Sequence, residues 1–72
     1  MSQIVIDSKV LAGKPIIKGT RISVEFVLEL LSAGMSSEEI VKEYPTLTKK
    51  DILCALEYAK NVLNKEEVYP LP

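Results

Sequence analysis

One local device occurs twice in this chain and constrains its fold more than any other feature. Met35-Ser36-x-x-Glu39-Ile40 and Leu47-Thr48-x-x-Asp51-Ile52 each place a hydroxyl residue three positions before a carboxylate, with apolar residues on either side. That is a capping box inside a hydrophobic staple, the signature of a helix N-terminus with a fixed entry angle. The first box predicts a helix over 37–44, which must stop there because Pro45 disfavours the α region before it. The second predicts a helix over 49–64. A short helix, a turn and a longer helix form the layout of a helix-turn-helix unit.

A further helix is expected over 24–33. Ser23 can cap its N-terminus and Gly34 can end it. Val24, Val27, Leu28 and Leu31 fall on one face, while Phe26, Leu30 and Ala33 form a second. A helix apolar over that much of its circumference is buried on two sides. We therefore expect Phe26 and Leu30 to supply the surface of a homodimer. In the helix over 49–64, Ile52, Ala55, Leu56, Ala59, Val62 and Leu63 share the expected core face. Lys50, Cys54, Glu57 and Asn61 lie opposite, which makes Cys54 an exposed residue.

The segment 3–22 reads differently. Ile4-Val5-Ile6 is β-branched and ends at the turn signal Asp7-Ser8. Residues 13–23 hold two glycines and a proline around apolar pairs, predicting a turn with extended pieces at Ile16-Ile17 and Arg21-Ile22. Gly19 is expected to adopt positive φ. In this hairpin Ile16, Ile17 and Ile22 would pack on the helices. The expected architecture is mainly α, one domain over 1–72, with a three-helix bundle preceded by short β-strands and followed by a tail over 65–72.

The inventory of reactive groups narrows function. The 72 residues contain no histidine and a single cysteine. A His/Cys zinc site and a Ser-His or Cys-His triad lack their parts. A domain this small rarely encloses a substrate, so no catalysis, metal or cofactor is expected. Gly13-Lys14 and Gly19 lack the Walker spacing, which excludes a phosphate loop. The apolar runs are too short to span a bilayer, and residues 1–6 do not resemble a signal peptide. We expect a cytoplasmic protein that does not enter a membrane. Net charge is −1, yet residues 1–24 hold three lysines and Arg21 against Asp7, while residues 25–72 hold five lysines against eight glutamates and Asp51. Such a split points to partners rather than to fold.

The stretch Gly13-Lys14-Pro15-Ile16-Ile17-Lys18-Gly19-Thr20-Arg21-Ile22 resembles the GKP-x-I-x-GTR signature of the DUF433 family. Glu43-Tyr44-Pro45-Thr46-Leu47-Thr48 and Ala55-Leu56-Glu57-Tyr58-Ala59 are similar to its later motifs. The likeness covers roughly residues 4–64. It implies a homeodomain-like helix-turn-helix fold and an antitoxin-type role, often encoded beside a small PIN-like nuclease toxin.

Two functional readings follow. In the first, the chain is a small antitoxin-like regulator that binds a partner toxin and its own promoter DNA. Thr46, Lys49 and Lys50, with Leu53, would lie at the DNA-facing start of the third helix, and Lys14, Lys18 and Arg21 would contact phosphates as an arm. Thr48 is expected to cap instead, Asp51 and Glu57 would repel phosphate, and Arg21 has Glu25 as an alternative partner. The first two turns of that helix hold no Arg, Asn or Gln, the residues that make bidentate base contacts. In the second, the chain is an interaction or scaffold domain without DNA binding. In either reading the apolar tail residues Val68, Tyr69 and Leu71 would add to a partner surface.

Overall fold

The computed structural model describes residues 3–64. Its elements are β1 (Ile4–Ile6), β2 (Pro15–Ile17), α1 (Val24–Ser32), α2 (Ser37–Glu43) and α3 (Lys49–Asn64). The two strands pair antiparallel, with Ile4 opposite Ile17 and Val5 opposite Ile16. This small sheet packs against α1 and α3. Three helices preceded by a short hairpin agree with the architecture expected from the sequence.

Each helix begins where its cap dictates. The Ser23 hydroxyl accepts the Phe26 N–H at 2.9 Å. At α2 the Ser36 hydroxyl accepts the Glu39 N–H (3.1 Å) and the Glu39 carboxylate accepts the Ser36 N–H (2.8 Å). At α3 the Thr48 hydroxyl accepts from Asp51 N–H (3.1 Å) and the Asp51 carboxylate from Thr48 N–H (3.0 Å). These bonds satisfy donors that a helix start otherwise leaves open.

The end of α1 is equally well defined. Gly34 sits at φ +100°, its N–H donates to Leu31 C=O (3.0 Å) and the Met35 N–H donates to Leu30 C=O (3.1 Å). This pair of bonds is a Schellman motif, which needs a left-handed residue at that position. Met35 then packs on the core and opens the staple of α2, so the same residue closes one helix and orients the next.

The core is built from Ile17, Val24, Val27, Ile40, Leu47, Ile52 and Ala55. Both strands and all three helices therefore meet at one cluster, with Ile4, Leu28, Leu30, Leu31 and Tyr58 packed around it. Ile16 is also buried and Ile22 is half-buried, as the hairpin reading required. The extended piece expected at Arg21-Ile22 is not a strand. The segment folds back instead through an Ile16–Ser23 bridge and an Ile17 N–H to Ile22 C=O bond of 2.9 Å.

The buried face of α3 differs from the one expected. Cys54 is 5% exposed, whereas Leu56, Val62 and Leu63 stand out into solvent. Two causes account for this. β1 packs against α3, and Gln3 reaches Asp51, covering the side that was assigned to solvent. In addition, α3 has 16 residues against nine in α1 and seven in α2. At 1.5 Å per residue α3 is about 24 Å long and outruns the helices beneath it.

Candidate functional site

The helix-turn-helix surface is organised by the turn between α2 and α3. Tyr44 closes α2 by donating its N–H to Ile40 C=O at 2.8 Å, and the Leu47 N–H donates to Tyr44 C=O at 2.9 Å. Leu47 is buried there, which leaves Pro45 and Thr46 exposed at the tip. Thr48 and Asp51 are occupied by their capping box. Asp51 is buried and is held further by the Gln3 side chain, so its carboxylate is not available as a surface contact.

Lys49 and Lys50 project from the start of α3 as expected, but Lys49 is engaged: its ammonium lies 3.1 Å from the Glu38 carboxylate on α2. The Lys49 hydrogen bond, with help from a hydrogen bond from the Glu38 backbone N–H, the Lys49 charge and the Ser37 hydroxyl, holds the Glu38 carboxyl below its ordinary value. Lys50 has no ion-pair partner among the described residues.

In the N-terminal segment the GTR motif divides into structure and surface. Gly19 takes φ +82° in the turn that returns the chain from β2. The Thr20 hydroxyl donates to Ile17 C=O (2.9 Å) and accepts the Ile22 N–H (3.0 Å), pinning the turn from inside. Lys18 and Arg21 remain exposed on either side. Lys14 is paired with Glu25 at 2.7 Å, and its hydrogen bond and charge lower the Glu25 carboxyl. The alternative pairing of Arg21 with Glu25 is not formed.

Beyond its first turn, the outward face of α3 is mostly apolar. Leu53 is 65% exposed, Leu56 43% and Leu63 62%. With Lys49 and Lys60 they occupy positions 49, 53, 56, 60 and 63, one stripe at alternating spacings of four and three. Next to this stripe, Val62 and Leu63 also form one wall of a groove of about 320 Å³. Val24 and Leu28 of α1 and Pro15 of β2 line its other side. Phe26 is 39% exposed and meets Tyr44 edge-on, with ring centroids 5.5 Å apart; Leu30 is half-buried against the core. The tail residues Val68, Tyr69 and Leu71 lie outside the described residues.

The sequence pattern places Leu56 and Leu63 on the core face, whereas the structure exposes both alongside Leu53. The signal present was the length of α3 itself. A helix of 16 residues is not covered on every side in a bundle whose other helices have nine and seven.

This arrangement defines a class: a three-helix domain with a helix-turn-helix layout and a two-stranded hairpin at its N-terminal side. Residues 4–59 match the family model described as protein of unknown function (DUF433), and the chain belongs to that family. Its fold is similar to the crystal structure of a DUF433 member protein from Anabaena variabilis ATCC 29413, with a TM-score of 0.80 and 28% identity. That match covers 88% of this chain and 62% of the other, so the chain spans less than two thirds of that relative. A protein of Archaeoglobus fulgidus described as uncharacterized is 64% identical over 25 residues, which is 35% of this chain and 69% of its own.

Proposed function

We propose that this domain is a non-catalytic, antitoxin-like protein-binding module, and that the outer face of α3 is a protein contact surface rather than a reader of bases. The observation that carries this reading is the exposed leucine stripe. A helix that reads the major groove presents side chains able to hydrogen-bond base edges, whereas α3 presents Leu53 and Leu56 beyond its first turn. Exposed apolar side chains that lie side by side, rather than scattered singly, mark a protein interface. The partner class is supported by charge. Residues 25–72 are net acidic, which suits a basic partner such as an RNA-cleaving, PIN-like toxin.

The test is co-expression with the product of the adjacent coding sequence, comparing the native chain with Leu53→Glu. A complex that forms with the native chain and is lost with Leu53→Glu, while the variant keeps its helical circular dichroism, is the expected result. A complex indifferent to Leu53→Glu contradicts the assignment of this face.

Promoter binding is the second reading, favoured by the exposure of Lys50, Thr46, Lys18 and Arg21. It requires binding that falls steeply with salt and that weakens when these cations are removed.

A further inference from the structure

We propose that the outer face of α3 docks against α3 of a second copy of this chain, with the two helices antiparallel. The proposal rests on the reading of this face as a protein contact and names its occupant. Leu53, Leu56, Lys60 and Leu63 recur at spacings of three, four and three, the spacing that lets two helices interlock side by side. All four are exposed along one outward arc of α3.

Lys60 decides both the partner and the direction. It sits inside the apolar stripe, 3.3 Å from Glu57 of its own helix. In a parallel pair Lys60 would face Lys60, a like-charge contact. In an antiparallel pair crossing near residue 58, Leu53 of one copy lies opposite Leu63 of the other and Leu56 opposite Lys60. Each Lys60 then runs its aliphatic stem along a leucine and carries its ammonium toward Glu57 of both copies. The stripe is thus complementary to itself in shape and charge only when reversed.

The affinity expected is modest. A helix about 24 Å long buries well under the roughly 800 Å² per partner of a standard stable interface. A dissociation constant on the order of ten to a few hundred micromolar fits such a contact. A contact this weak yields the same leucines to a tighter-binding partner, so self-pairing and the complex with the neighbouring gene product compete for this face.

Sedimentation velocity over a concentration series, with a charge swap, tests the proposal. The native chain should show a reversible monomer–dimer equilibrium. Leu56→Lys opposes Lys60 of the other copy and should weaken the dimer about tenfold or more. Adding Lys60→Glu should restore it: across the pair, the new lysine at position 56 of one copy meets the new glutamate at position 60 of the other only in the antiparallel register, in addition to the i, i+4 contact the two residues make within each helix. Residue 56 is exposed in the monomer, and circular dichroism verifies that each variant is folded. A native chain monomeric at millimolar concentration, or a dimer unaffected by Leu56→Lys, overturns the proposal. So does a double variant no tighter than Leu56→Lys alone. A dimer lost with Phe26→Asp but kept with Leu56→Lys also overturns it, and locates the interface on α1. These results leave the wider reading standing if Leu53→Glu still abolishes the complex with the neighbouring gene product; if it does not, both fall.

Discussion

The side chain of Gln3 donates a hydrogen bond of 2.9 Å to the carboxylate of Asp51, 48 residues away in sequence. The other oxygen of that carboxylate accepts the Thr48 N–H within the capping box of α3. One buried carboxylate therefore closes the start of α3 and anchors the chain entering β1. Among the described residues, the Gln3–Asp51 contact is the hydrogen bond that ties the sheet segment to α3.

Asp51→Ala should cost about 1–3 kcal/mol, combining the loss of a cap with an unpaired Gln3 amide. Gln3→Ala should cost less than about 1 kcal/mol, since the capping box survives. Urea denaturation of both single variants and the double variant checks this. The two effects should be clearly non-additive, as expected of residues in direct contact.

Ile40 and Ile17 are fully buried where the elements converge. Ile40→Ala or Ile17→Ala should cost about 2–5 kcal/mol, most of the stability that a domain of this size holds. Thermal melts should show either variant largely unfolded near 37 °C. Ile40→Val, at about 0.5–1.5 kcal/mol, should remain folded.

Gly34→Ala should cost about 1 kcal/mol. Nothing lies within 4 Å of an added Cβ, so the penalty comes from the left-handed backbone and not from crowding. A lowered melting temperature with an unchanged urea m-value is the expected signature.

The Glu25 and Glu38 carboxyls both lie below the ordinary value of 4.5, held there by Lys14 and Lys49. A depressed folded value means that their contribution is present above pH 4.5 and is lost as pH falls through the lower folded value. Both pairs are exposed, so the effect is small and screened by salt. Melting temperatures of the native chain and of Glu38→Gln should differ slightly near neutral pH, converge in acid, and converge also in about 1 M salt. A difference that persists in acid would contradict the assignment.

Most of the fold was legible because it rests on local chemistry. The boxes at Ser36 and Thr48, the cap at Ser23 and the stop at Gly34 are written in a few consecutive residues, and each forms as read. What escaped depends on contacts distant in sequence. Cys54 is buried on the side of α3 where Gln3 reaches Asp51, one turn earlier, which helical periodicity cannot show. Leu56 is exposed because it turns with Leu53 away from the arc on which Asp51, Cys54 and Ala55 are buried, and Leu63 forms only an open wall of the groove facing Val24 and Leu28, although the spacing of both suits a core. Lys14, and not Arg21, takes Glu25 because the hairpin returns Lys14 beside the first turn of α1. The candidate site was read least well, since it consists of the part of an apolar helix that tertiary packing leaves uncovered.

What α3 presents to its surroundings decides between a protein contact face and a reader of DNA. Fluorescence anisotropy with a duplex from upstream of the coding region, against a scrambled duplex at low and high salt, tests this most directly. Equal, weak binding to both duplexes, abolished by salt, is the result expected of a protein-contact face flanked by a few free cations. Selective binding to the upstream duplex that is lost with Lys49→Ala and Lys50→Ala would contradict it and make α3 a reader of DNA.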